Sequence, residues 1–187
     1  LAMQALGERV RVAAADELFV CGLLAQVGQL ALATAYPDEY NILLTERLAN
    51  AALPLAACER AHLETDHNEL GTVMMSEWGM PKAFTTPIAH YENPDQPGYP
   101  HDSRSNSLTL MLRLSHRLAD LGLAEADARP QLAQEWVTLA TELDIPTEAA
   151  GGFIDEVIAS WQDWGKLLKI PTTALPSFVE ISHGQVA

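Results

Sequence analysis

Apolar residues recur at steps of three and four along almost the whole chain, and no stretch sustains the two-residue alternation of a strand. Such spacing belongs to helices that bury one stripe, so it predicts an all-α fold. Its densest instance is Leu18, Cys21, Leu24 and Gly28, with Leu23, Val27 and Leu30 beside them. This stretch is expected to form one helix, apolar on most sides and central in the core, ending at Tyr36-Pro37. Gly22 and Gly28 lower helix propensity, so they are expected where a neighbouring helix comes close.

Start and stop signals divide the rest. Pro37 opens a helix from Asp38 to about Asn50 with Ile42, Leu43 and Leu48 inward, and Pro54 opens the next. Asp66 followed by Glu69 fits a capping box, and Leu70, Val73, Met74 and Trp78 then form a predicted inward stripe. Gly79 is placed as a C-terminal cap, with Pro81 two residues on. A short helix from Pro81 to Tyr91 is expected to bend near Pro87. The stretch from Glu92 to Ser107 reads as a loop, and Leu108, Met111, Leu112, Leu118 and Leu121 mark a core helix closed by Gly122. Pro130 begins a helix carrying Leu132, Trp136 and Leu139, and Thr147 caps a longer one carrying Phe153, Ile154, Val157, Ile158, Trp161, Leu167 and Leu168. The predicted division is a helical bundle over 1–122, an appended helical hairpin over 123–170, and a tail or linker over 171–187 with no helical period.

Charge narrows the function classes. Eleven Lys and Arg against 25 Asp and Glu give a net charge of −14. An acidic surface without a basic patch repels phosphate backbones and anionic lipid, so neither nucleic acid nor a membrane surface is an expected partner. No apolar run is read as reaching the roughly 18 residues a bilayer-spanning helix needs, and no signal segment opens the chain, so the expected location is the cytoplasm. Cys21 and Cys58 sit in apolar stretches and read as buried reduced thiols. Leu1 is not an initiating Met, and the chain is expected to be part of a longer protein.

Three segments carry a resemblance when taken in order: "CGLLAQVGQLAL" from Cys21, "ERAHLETDHNELGTVMMSEWGMP" from Glu59, and "IAHYENP" from Ile88. With Glu59, His67, Gly71, Trp78, Pro81 and Ile88 at their spacing, and His90 and Tyr91 where a His pair is usual, the chain resembles the HDOD family. That family is the regulatory branch of the His-Asp metal-dependent phosphohydrolases. The resemblance covers roughly Leu1 to Leu121 and implies that the family's front helices lie outside the chain. It also implies that Ala25 and Gln26 stand where the enzymes hold their metal-binding His-Asp pair. Ala25 has no lone pair and Gln26 only a neutral amide oxygen, so two metal ligands and one charge are lost. No catalytic residue, cofactor or metal ligand is therefore expected. His67 and His90 are the weak candidates should a metal site exist.

The other histidines are expected to act singly. His62 and His67 are five residues apart and point to different sides of a helix, where a shared metal needs a four-residue step. Gly151-Gly152-Phe153-Ile154-Asp155-Glu156 echoes the Gly-Gly-Asp-Glu-Phe signature of diguanylate cyclases, but in scrambled order and on a helical stretch. Trp136, Trp161 and Trp164 either bury in the hairpin or line a partner surface. The resemblance implies a bacterial, non-catalytic signalling module that binds a protein partner or ligand and biases a fused output domain, such as a cyclic-di-GMP enzyme. Two alternatives remain open on sequence: an active phosphohydrolase with substitute ligands, and a structural domain that forms a homodimer through the Trp-bearing hairpin.

Overall fold

The computed structural model describes residues 1–49 and 53–183, and every regular element among them is helical, as the spacing predicts. In chain order these are α1 (Ala2–Val10), α2 (Ala15–Leu24), α3 (Val27–Ala35), α4 (Pro37–Ala49), α5 (Leu55–Leu63) and α6 (His67–Glu77). They are followed by α7 (Lys82–His90), α8 (Arg104–Leu123), α9 (Arg129–Ala140), α10 (Thr147–Leu168) and α11 (Phe178–Ser182). The chain forms two compact units: residues 1–22 with 110–187, and residues 23–109. These boundaries differ from the division at Gly122 drawn from sequence.

The first unit is held by apolar packing. Met3, Leu6, Leu18 and Cys21 from α1 and α2 are buried, as are Met111, Leu114, Leu118 and Leu121 from α8. Trp136 of α9 stacks on Phe153 of α10 with ring centroids 5.3 Å apart, and its indole N–H donates to the Leu114 carbonyl at 2.9 Å. The Arg9 guanidinium lies 4.5 Å from the centre of the Phe153 ring and pairs with Glu156 at 3.2 Å. Thus the Gly-Gly-Phe-Ile-Asp-Glu stretch is core helix. The three tryptophans divide: Trp136 is buried, Trp161 half-buried, and Trp164 exposed beside Phe19 at 6.1 Å.

The stretch read as a tail without helical period carries α11. Ser177 and Glu180 form a complete capping box at its start, the Phe178 amide donates to Asp155 at 2.7 Å, and Ile181 is buried. This short helix packs against α9 and α10. Residues 184–187 of the predicted tail lie outside the described residues. Thr147, expected as a cap, is the first helical residue of α10, and Pro146 holds the cap position.

The expected single helix through Cys21 and Gly28 is two helices, because the chain turns at Ala25-Gln26. Each half buries one face. Leu18 and Cys21 are fully buried and Leu32 nearly so, whereas Leu23 and Leu30 are 67% and 68% exposed. Burial raises the Cys21 thiol to about 12. Residues 15–35 do contain an 18-residue window with mean hydropathy 1.7, long and apolar enough to cross a membrane by length and composition. The sequence reading missed this by counting only uninterrupted apolar runs, which Gln26 and Gln29 break. The turn splits the stretch into helices of 10 and 9 residues, each short of a bilayer's thickness.

In the second unit α3 crosses α6 with backbones nearly touching. A Cβ added to Gly28 would lie 2.0 Å from the His67 carbonyl oxygen and 2.6 Å from the Gly71 nitrogen, so this glycine is required by close approach. Gly79 ends α6 at φ +76°, as its position predicts. Leu43 of α4 is buried as expected but Ile42 is exposed, and the Leu48 side chain and the expected end of that helix at Asn50 lie outside what the structure describes. The predicted stripe on α6 is displaced: Val73 and Trp78 are 53% and 55% exposed, while His67, Asn68, Gly71 and Met75 face inward. The inward face carries polar groups because partners on other helices wait for them.

Candidate functional site

Those partners form a buried polar network within the second unit. Asp66 caps α6 by accepting from the Glu69 amide at 2.8 Å. The returning half of the expected box is diverted, with the Glu69 carboxylate near Arg60 and Thr65. The cap fixes His67 as the first residue of α6, at the positive end of the helix dipole. Glu59 of α5 is fully buried there. Its Oε2 accepts from the His67 backbone N–H at 2.9 Å and from His67 Nδ1 at 2.5 Å, and its Oε1 accepts from the Tyr40 hydroxyl at 2.7 Å. Three donors and a helix N-terminus allow a carboxylate to remain buried.

The far side of the His67 ring faces the end of α7. Nε2 lies 3.3 Å from the Tyr91 hydroxyl and 3.5 Å from Glu92 Oε1. Burial lowers the His67 pKa, but hydrogen bonds to Glu59 and Glu92 and their charges outweigh it, leaving it at about 9. At neutral pH both ring nitrogens therefore carry protons and donate. Tyr40 is raised by burial, then by its bond to Glu59, and stays a neutral donor. Gln26 completes the chain of contacts by donating from Nε2 to the Tyr91 hydroxyl at 3.3 Å, and Asn68 donates to Glu92 at 3.0 Å. One network thus joins α4, α5 and α6, the turn before α3, and the end of α7.

The residues do not fit a metal. Ala25 is buried in the turn without a donor atom, and Gln26 directs its amide N–H to Tyr91. Both ring nitrogens of His67 are already engaged, Nδ1 with Glu59 and Nε2 beside Tyr91 and Glu92. His90 lies edge-on to Tyr99 at 6.2 Å, and its Nδ1 is buried with no hydrogen-bond partner. Among the described residues no group of three or more His, Cys, Asp or Glu side chains is placed to hold a metal ion. His62 pairs with Glu46 at 2.9 Å on the surface, and His116 lies 3.9 Å from Asp120. Of the two weak candidates the network takes up only His67. Tyr40, Glu92 and Asn68 were missed, because nothing in the spacing of a chain pairs a tyrosine with a carboxylate 19 residues away.

All members of this network lie within residues 1–94, the stretch matched by the HDOD domain family model. The chain belongs to the HDOD domain family. Over 90 residues it is 28% identical to an "uncharacterized protein" of Treponema pallidum (strain Nichols), covering 48% of this chain and 17% of that protein. Its fold also matches the crystal structure of the MmoQ response regulator from Methylococcus capsulatus str. Bath, with a TM-score of 0.58 and 27% identity. That match covers 82% of this chain and 56% of the other. The HDOD chain therefore spans well under two thirds of each of these relatives.

Proposed function

We propose that this HDOD chain is a non-catalytic regulatory module of bacterial cytoplasmic signalling. It binds a protein partner or ligand and passes a conformational bias to an output domain, a cyclic-di-GMP enzyme being the output the family resemblance implies. The carrying observation is the contact between Gln26 and Tyr91. At the position where a phosphohydrolase would spend a carboxylate on metal, this chain spends an amide on tying the α2–α3 turn to the end of α7. A metal joins helices through coordination bonds; here hydrogen bonds do so, and they can break and re-form as a switch requires. The likeness to a response regulator supports the regulatory reading.

The test uses the intact protein. Its cyclic-di-GMP synthesis or hydrolysis is measured for the wild type and for Tyr91→Phe, alongside hydrolysis of bis(p-nitrophenyl) phosphate with added manganese. The expected result is an output changed severalfold by Tyr91→Phe and no phosphodiester hydrolysis by the HDOD chain. Metal-dependent hydrolysis that Glu59→Gln abolishes would contradict the proposal.

A further inference from the structure

Residues 171–183 lie on the helices of the first unit, and their side chains enter places where those helices carry glycine. The Phe178 ring sits against Gly151 of α10, where an added Cβ would meet it at 2.5 Å. Further along α10 the Thr172 methyl occupies the space that a Cβ on Gly165 would need. Leu175 comes within 4.0 Å of the same position on Gly122 of α8. Gly152, by contrast, has nothing within 4 Å of an added Cβ. Glycine inside a helix costs stability, and at Gly151 and Gly165 that cost makes room for this segment.

The segment is held lightly. Ile181 is buried; Thr172, Leu175, Pro176 and Phe178 are half-buried, and the rest of residues 171–183 are exposed. Its hydrogen bonds to α10 run from Gln162 to the Thr173 carbonyl at 3.3 Å and from the Phe178 amide to Asp155 at 2.7 Å. Gln162 and Asp155 are themselves half-buried, so water can take over both bonds if the segment lifts away. The start of α11 is capped from within, by Ser177 and Glu180. Ordering this much backbone against so little buried surface marks a part that opens before the helices beneath it, where α10 buries Phe153, Ile154, Val157 and Ile158. We infer that residues 171–183 form a strap, docked by seating Phe178 on Gly151 and Thr172 on Gly165, which lifts off as one piece while α9 and α10 stay folded and so carries the first unit's bias onward. What the release is used for rests on the regulatory reading; the docking itself does not.

Amide hydrogen exchange of the intact protein, followed by mass spectrometry, reads the strap at Phe178 to His183 and the helices beneath it at α9 and α10. A five-residue helix does not persist alone, so a lifted strap loses its protection. Gly151→Ala puts a methyl where the Phe178 ring sits, while the exchange of Gly for Ala favours α10 itself. It is expected to speed exchange in α11 about tenfold and to leave α9 and α10 as protected as before. Phe178→Ala is expected to do the same. Gly152→Ala makes the same change in open space and is expected to leave α11 unaltered. Cyclic-di-GMP synthesis or hydrolysis by the intact variants is expected to change severalfold with Gly151→Ala and not with Gly152→Ala. Unaltered α11 exchange in Gly151→Ala, or α9 and α10 losing protection together with α11, would overturn the docking. A strap that lifts off with no change in output would overturn its use. Tyr91→Phe then separates the two failures: if it still alters output, only the strap's part falls, and if it too is silent the regulatory reading falls with it.

Discussion

The two compact units bury different chemistry. All six buried polar or charged residues among the described residues, namely Glu59, Asp66, His67, Asn68, Thr85 and Thr109, belong to residues 23–109. The unit formed by residues 1–22 and 110–187 buries hydrocarbon and aromatic rings, with Trp136 against Phe153 at its centre. An apolar core is non-directional and tolerates exchanges of its side chains that conserve volume. A buried polar network is directional, because each donor has one good acceptor and a lost partner leaves a buried charge or dipole exposed to none. Stability in the second unit should thus hinge on single atoms, and in the first on volume.

Glu59→Gln strikes that difference hardest. The amide cannot neutralise the His67 imidazolium or accept all three donors, and breaking a buried pair in this way costs about 3–5 kcal/mol. Denaturant unfolding followed at Trp78, with Trp136 as the report from the other unit, should show the loss. A cost below about 1 kcal/mol would mean the pair is not buried as described.

Proton linkage gives the next largest effect. The folded pKa of His67, about 9, lies above its ordinary 6.5. Its contribution is therefore fully present below about pH 6.5 and is lost as pH rises through 9, by about 3 kcal/mol in all. Unfolding free energies measured between pH 6 and 10 should decline across this window, and His67→Gln should flatten the decline.

Glycines sharpen the comparison at smaller cost. Gly28→Ala drives a methyl into the His67 carbonyl, a backbone atom that cannot step aside, and should cost about 1–3 kcal/mol or more. Gly152, inside α10, has no atom within 4 Å of an added Cβ, and Gly152→Ala should stabilise by about 0.5–1 kcal/mol. Opposite shifts in melting temperature would check both. Arg60→Ala should matter least. Its bond to Asp66 at 2.5 Å joins a side chain 59% exposed to a carboxylate only 3% exposed that still accepts from the Glu69 amide, so the expected cost is about 1 kcal/mol.

Helical spacing reads the middle of the first unit well, where Leu118, Leu121, Phe153 and Ile154 face inward as predicted, but not the end of α10, where Leu167 and Leu168 are 74% and 55% exposed. It also misplaces the face of α6, since hydropathy cannot know that His67 and Asn68 will meet Glu59 and Glu92. The break at Ala25-Gln26 has neither Gly nor Pro at its two positions to announce it. Ser177-x-x-Glu180, by contrast, was a legible capping box that the two neighbouring prolines obscured.

Metal content tests most directly whether hydrogen bonds have replaced coordination in this fold. The protein would be purified without chelators or a nickel column and measured by inductively coupled plasma mass spectrometry, with circular dichroism to establish that it is folded. The expected result is folded protein with far less than one equivalent of iron, manganese or zinc. Near-stoichiometric metal that disappears in Glu59→Gln would contradict it, placing His67 and Glu59 in a metal centre instead of a network that stands in for one.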